Sequence, residues 1–255
     1  MVTPINSTTC SVVFHNYYGG HEDWVRLLSG RITIPFTLFY NIVEDSLYNL
    51  EDDHRLMSHL QKAASGSSLK KIVLRRSPNL GKDIGGKLVL LDACLREGVN
   101  DDYQVFLHDK KSPYKVQGQQ WGDKLFRITE PTFIEKALTF FRGHPDVGIL
   151  STTESIMNEY DFRTQSFASN NRTQLEKLRA EFNIDNTDYR YVAGTMFWAR
   201  SLPILDFFRR HPPLEIRKTL EKGNIMDENG GSITHAWERM LSWLIFAQGY
   251  TIKGL

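Results

Sequence analysis

His108, Asp109, Lys110, Lys111 and Ser112 follow directly on the apolar run Val105-Phe106-Leu107. Such a run reads as a buried strand. An imidazole, a carboxylate and two ammonium groups at its end are costly to desolvate unless they meet a charged ligand. In open α/β sheets the carboxyl end of a strand is where ligands bind. Two lysines beside one aspartate there suit an anion such as a diphosphate, because they neutralise the charge a leaving diphosphate develops. Asp109 is the carboxylate available to a divalent cation, Mg or Mn. With one carboxylate in the run, metal-free assistance by lysine is an equal alternative. Ser-Pro-Tyr and then Trp121 follow, so a lined pocket is favoured over a solvated turn.

Three other segments carry possible chemistry. Asn79-Leu80-Gly81-Lys82-Asp83-Ile84-Gly85-Gly86 places three glycines in eight positions, which permits close backbone approach to a phosphate or ribose at a helix start. It lacks the Gly-Lys-Ser/Thr ending of a P-loop, and a tight turn capped by Asp83 explains it equally well. Val192-Ala193-Gly194-Thr195-Met196-Phe197-Trp198 is a small-residue strand that a ligand or another backbone can approach, or a core strand with a bulge. Asp227 precedes a helix on which His235 and Glu238, three apart, share a face. A carboxylate so placed can serve as general base toward a hydroxyl; taken alone, the segment reads first as a helix-dipole partner with a packed histidine. Neither a nucleophile elbow nor a His-Glu-x-x-His metal signature is present.

Strands and helices alternate along the first half. Strands are expected at Ser11–His15, Phe36–Asn41, Lys71–Arg75 and Gln104–Leu107, and helices at Glu22–Leu28, Asp53–Ala64 and Lys87–Glu97. This order predicts a mostly parallel sheet with crossover helices and one ligand-binding edge. In the second half, helices are expected at Phe133–Phe141, Thr173–Phe182, Leu202–Arg210 and Ile233–Gln248. Strands are expected at Val147–Leu150, at Tyr189–Trp198 with a break at Gly194, and at Tyr250–Ile252. Residues 157–171 show no period and are expected to form a loop over the site.

Lys plus Arg total 31 against 30 Asp plus Glu, a net charge of +1, which argues against a nucleic-acid-binding face. Cys10 and Cys94 have neither disulfide-framework nor zinc-ligand spacing, so buried thiols in a reducing cytoplasm are expected. No signal peptide and no apolar run long enough to span a bilayer is visible, so membrane contact is expected to be peripheral or through a partner.

Taken together, Asn79–Gly86, Phe106–Ser112, Val192–Trp198 and Thr234-His235-Ala236-Trp237-Glu238-Arg239 resemble, in order and spacing, the rhamnan synthesis protein F family, and more broadly the GT-A glycosyltransferases. The resemblance implies a single α/β, GT-A-like (Rossmann-like) domain over 1–255, with a nucleotide-binding half near 11–112 and an acceptor half over 113–255. It implies an inverting hexosyltransferase of bacterial cell-surface polysaccharide synthesis, working in the cytoplasm or at the inner membrane face. The favoured donor is dTDP-rhamnose and the acceptor a glycan or lipid-linked glycan. His15, Asn41, Asn79, Gly81 and Asp83 would line the base and ribose, and His108, Asp109, Lys110, Lys111 and Ser112 the diphosphate. Gly194, Thr195, Trp198 and Arg239 would shape the sugar and acceptor pocket. Glu238, eleven residues before Gly249, is the leading base, oriented by His235 or Arg239, with Asp227 second. His108-Asp109-Lys110 stands where the GT-A class carries Asp-x-Asp, which leaves metal dependence open. A non-catalytic glycan- or nucleotide-binding module and a nucleotide-sugar hydrolase are the rival readings.

Overall fold

A computed structural model describes residues 8–109, 124–226 and 230–255. Its strands in chain order are β1 (Cys10–Asn16), β2 (Phe36–Val43), β3 (Leu69–Ser77), β4 (Tyr103–His108), β5 (Val147–Ser151), β6 (Ile156–Asn158), β7 (Tyr160–Asp161), β8 (Ser166–Phe167), β9 (Arg190–Val192), β10 (Phe197–Arg200) and β11 (Thr251–Gly254). The principal helices are α1 (His21–Arg31), α2 (Asp53–Ala63), α3 (Lys82–Arg96), α4 (Pro131–Gly143), α5 (Arg172–Glu181), α6 (Ser201–Arg210), α7 (Pro213–Arg217) and α8 (Ile233–Trp243).

Seven strands form one sheet in the order β11-β5-β10-β4-β1-β2-β3. All neighbours are parallel except β10, which runs antiparallel to both β4 and β5. The expected mostly parallel, Rossmann-like α/β architecture is therefore the one observed. Both faces of the sheet are covered. Val13, Phe39, Phe106 and Phe197 pack on the α3, α6 and α8 side. Their sequence neighbours Phe14, Tyr40, Leu107 and Trp198 pack with side chains of α1, α2 and α4. Burial on both faces is why these strands read as continuous apolar runs rather than alternating ones.

Two differences from expectation lie near the candidate site, besides an unexpected short helix at Pro213–Arg217 and an α8 that ends at Trp243. Residues 157–171 hold short strands instead of an irregular loop: β6 pairs with β9, and β7 with β8. Tyr160 stacks on Tyr189 there and Phe167 meets both rings edge-on, an aromatic cluster that polar neighbours hid in the sequence. The glycine-rich segment is also not a loop ahead of a helix. Helix α3 starts at Lys82, so Asp83, Gly85 and Gly86 are its first turns, behind a left-handed Gly81 at φ 76°. Both cysteines are buried free thiols, and among the described residues no helix is long and apolar enough to cross a membrane.

Candidate functional site

The parallel register sets His15 beside Asn41 on one side and beside His108 on the other. All three lie two residues beyond Val13, Phe39 and Phe106, so by strand alternation they face the same side as those core residues, toward α3. At this level the sheet changes from apolar to polar. Asn41 contacts His15 Nδ1 at 3.1 Å and accepts from Ser77 Oγ at 3.1 Å. Helix α3 passes so close that a Cβ on Gly86 would sit 1.8 Å from His15 Nδ1. Burial, with the nearby Lys87 and Arg217 charges adding to it against Asp83, lowers the His15 pKa to about 4. Asn41 is fully buried and His15 nearly so. Both therefore form the floor beneath the expected nucleotide site rather than its exposed wall.

Lys87, one turn after Asp83, is fully buried. Its Nζ donates to Asp83 Oδ2 at 2.9 Å, to the Thr195 carbonyl at 2.9 Å and to Thr195 Oγ1, and lies 3.2 Å from His108 Nδ1. Thr195 Oγ1 in turn donates to Asp83 Oδ2 at 2.8 Å. A buried charge is tolerable only when so completely partnered. Burial raises the Asp83 pKa, but the Lys87 and His108 charges and the two side-chain hydrogen bonds outweigh it and hold the carboxyl well below its usual range. The Asp83 side chain keeps 25% of its surface exposed, so an ionised carboxylate borders the site.

Gly194 and Thr195 link this cluster to α8. Both have left-handed backbones, at φ 77° and 49°. For a β-branched threonine that conformation is strained by roughly 1–3 kcal/mol and persists only where surrounding contacts enforce it. The Gly194 N–H donates to Glu238 Oε1 at 2.7 Å, and Arg239 Nη1 donates to Glu238 Oε2 at 2.6 Å. Arg239 is itself fixed by Glu159 Oε2 at 2.8 Å and by the Tyr191 ring face. The Glu238 side chain is about one-fifth exposed at 21%. Since each carboxylate oxygen has a second lone pair, it can still accept from a hydroxyl.

The other expected site residues fall as follows. Trp198, expected against a sugar ring, is instead fully buried among α4-side core residues and donates its Nε1–H to Ile128. Strand alternation turns it to the opposite face from Phe197, so it is a core residue. His235 Nδ1 lies 2.6 Å from Oγ of Ser232, the residue that caps α8, and Arg239 is the neighbour that donates to Glu238. Asn79 donates to Asn224 at 3.0 Å, and Gly81 to the Glu221 carbonyl at 2.8 Å; both tie the α3 entry to residues 221–224. Asp109 accepts the backbone N–H groups of Tyr17 at 2.8 Å and Tyr18 at 2.5 Å on its two oxygens. That carboxylate clamps the β1 turn, and among the described residues no group of three or more His, Cys, Asp or Glu is placed to hold a metal. Lys110, Lys111, Ser112 and Asp227 lie outside the described residues.

Lys87 is the site residue that sequence reasoning missed. Its signal was a lone lysine inside Ile84–Leu91, an otherwise apolar or glycine run, four residues after an aspartate. Two surface cavities of about 370 and 250 Å³ are lined by α5 and share no residue with the cluster, so chemistry rather than volume locates the site.

No curated protein shows significant similarity to the chain. A family profile described as rhamnan synthesis protein F (RgpF) matches residues 3–250. That span takes in β1 through β10, the Asp83–Lys87–His108–Thr195 cluster and the Glu238 carboxylate. With nearly its whole length and every described site residue inside the match, the chain belongs to the rhamnan synthesis protein F family.

Proposed function

We propose that this chain is a GT-A-type glycosyltransferase that moves a sugar, with rhamnose from dTDP-rhamnose favoured, onto a bacterial surface glycan or its lipid-linked precursor. The carrying observation is Glu238. This part-exposed carboxylate is fixed between Arg239 and the Gly194 N–H, and Gly194 adjoins Thr195, which touches Asp83 and Lys87 at the carboxyl end of the parallel strands. In the proposed reaction the acceptor hydroxyl gives its proton to Glu238 while its oxygen bonds to the sugar C1. The C1–O bond to the diphosphate breaks, and the nucleoside diphosphate leaves with that electron pair. Asp83 and Asn79 serve the nucleoside above the His15–Asn41 floor. Lys110 and Lys111 are assigned to the leaving diphosphate on sequence grounds alone. No step is routed through a metal. Membership in the rhamnan synthesis family and the mostly parallel sheet support this reading.

The test is a thermal-shift screen of nucleotide sugars, followed by mass detection of the lengthened acceptor. Stabilisation by one donor, and transfer that depends on Glu238, are expected. Binding without Glu238-dependent transfer replaces the proposal with a binding module. Free sugar released without an acceptor replaces it with a hydrolase.

A further inference from the structure

We propose that Lys87 is a positioning residue for the base: through Thr195 its buried ammonium holds the left-handed Gly194–Thr195 pair, whose Gly194 N–H aims Glu238. The inference rests on the glycosyltransferase reading for its consequence in turnover, but the linkage itself is a statement about the fold.

The argument is one of over-determination. Two consecutive residues with positive φ, one of them β-branched, do not hold that shape unaided. From the pair's own strand neighbours, the Thr195 N–H donates to the Val192 carbonyl at 3.2 Å, the long end of hydrogen-bond distance. The strong contacts come from α3. Lys87 meets both the carbonyl and the hydroxyl of Thr195, and Asp83 accepts from that hydroxyl. Beneath Gly194, Leu125 packs so closely that a Cβ there would lie 2.9 Å from its Cδ1, so the loop cannot sink further. So held, the Gly194 N–H donates to Glu238 Oε1 at 2.7 Å. A neutral or shorter side chain at position 87 frees the Thr195 carbonyl, lets the pair relax toward ordinary backbone angles, and swings that N–H away from the carboxylate. Lys87 also touches His108 and Asp83, so a single buried cation joins the donor-side and acceptor-side groups.

The experiment is a double-mutant cycle between Lys87→Met and Glu238→Gln, read with amide hydrogen exchange at Gly194. Glu238→Gln is expected to cut kcat by ~10³-fold, as removal of a general base does. Lys87→Met is expected to cut it by ~10²-fold, as misplacement of a catalytic group does. If Lys87 acts through Glu238, the double variant is no slower than Glu238→Gln alone. In folded Lys87→Met, Gly194 exchange is expected to speed at least ~10-fold while the β4 amides stay protected. Rate losses that multiply, or unchanged Gly194 exchange, overturn the proposal. If the unaltered protein transfers no sugar to any acceptor, the glycosyltransferase reading falls, and Gly194 exchange alone decides the linkage. Should Lys87→Met fail to fold, Thr195→Val removes the hydroxyl that Lys87 and Asp83 share and is judged by the same two readouts.

Discussion

Replacing Gly86 with alanine is expected to destabilise the protein, although it lies inside a helix where alanine is intrinsically the better residue. The propensity gain is about 1 kcal/mol. Against it stands the approach of α3 to β1. The new Cβ would lie 1.8, 2.5 and 2.6 Å from His15 Nδ1, Cε1 and Cγ. Ordinary contact needs about 3.5–4.0 Å, so roughly 2 Å must open. The obstacle is not a flexible tip: the His15 ring is buried and bonded to Asn41. Overpacking a tight core typically costs about 1–3 kcal/mol, and losing the His15–Asn41 hydrogen bond adds about 1 kcal/mol. The steric side wins by about 1–3 kcal/mol. Denaturant unfolding of Gly86→Ala should therefore show a lower midpoint at unchanged slope. Gly30 supplies the control. It lies in α1, has no neighbouring atom within 4 Å of an added Cβ, and Gly30→Ala should raise the unfolding free energy by up to about 1 kcal/mol, and the midpoint with it. If both variants shift the same way, the close α3–β1 approach is not what glycine serves at position 86.

Other expectations follow from the same geometry. The folded-state pKa of His15 is lowered from 6.5 to about 4, so its contribution is complete above pH 6.5 and is lost as pH falls from 6.5 toward 4. That loss is about 3 kcal/mol by linkage, and His15→Asn should flatten this limb of the stability–pH curve. Asp109→Asn replaces a carboxylate that accepts two backbone N–H groups with an amide that can present oxygen to one of them. A loss of about 1–3 kcal/mol by thermal unfolding is expected, with faster amide exchange at Tyr17 or Tyr18. Trp198→Phe strands the Ile128 carbonyl in the core and should cost about 1–3 kcal/mol in stability while leaving the acceptor KM unchanged; a raised KM would restore Trp198 to the sugar pocket.

Much of the sheet was legible because its strands are buried on both faces and their ends are polar. The run Val12-Val13-Phe14 ending in His15-Asn16, and Val105-Phe106-Leu107 ending in His108-Asp109, report both a core strand and its open edge. The antiparallel entry of β10 between β4 and β5 was not legible, since nothing local to Phe197–Arg200 records the direction of its neighbours. Trp198 was misplaced for a related reason. Next to a glycine-threonine bend, one residue of register decides which face a side chain takes, and the bend conceals that register.

Lys87 was hidden by a different physical fact. A lysine in a helix is ordinarily solvated, and the groups that make burial tolerable here are far away in sequence, Thr195 by 108 positions and His108 by 21. Only Asp83, one turn away, was within reach of a local argument. Yet the composition of α3 already contained the conflict: nothing else in Ile84–Leu91 is charged, and a helix with this apolar stretch must bury the face that carries the lysine. A charge forced inward by its neighbours demands several polar partners. In this chain those partners are the carboxyl end of β4 and the strained bend before β10, the two places where donor-side and acceptor-side groups were separately expected. The pairing of β10 with β4 brings the two together, and the buried cation bonds to both.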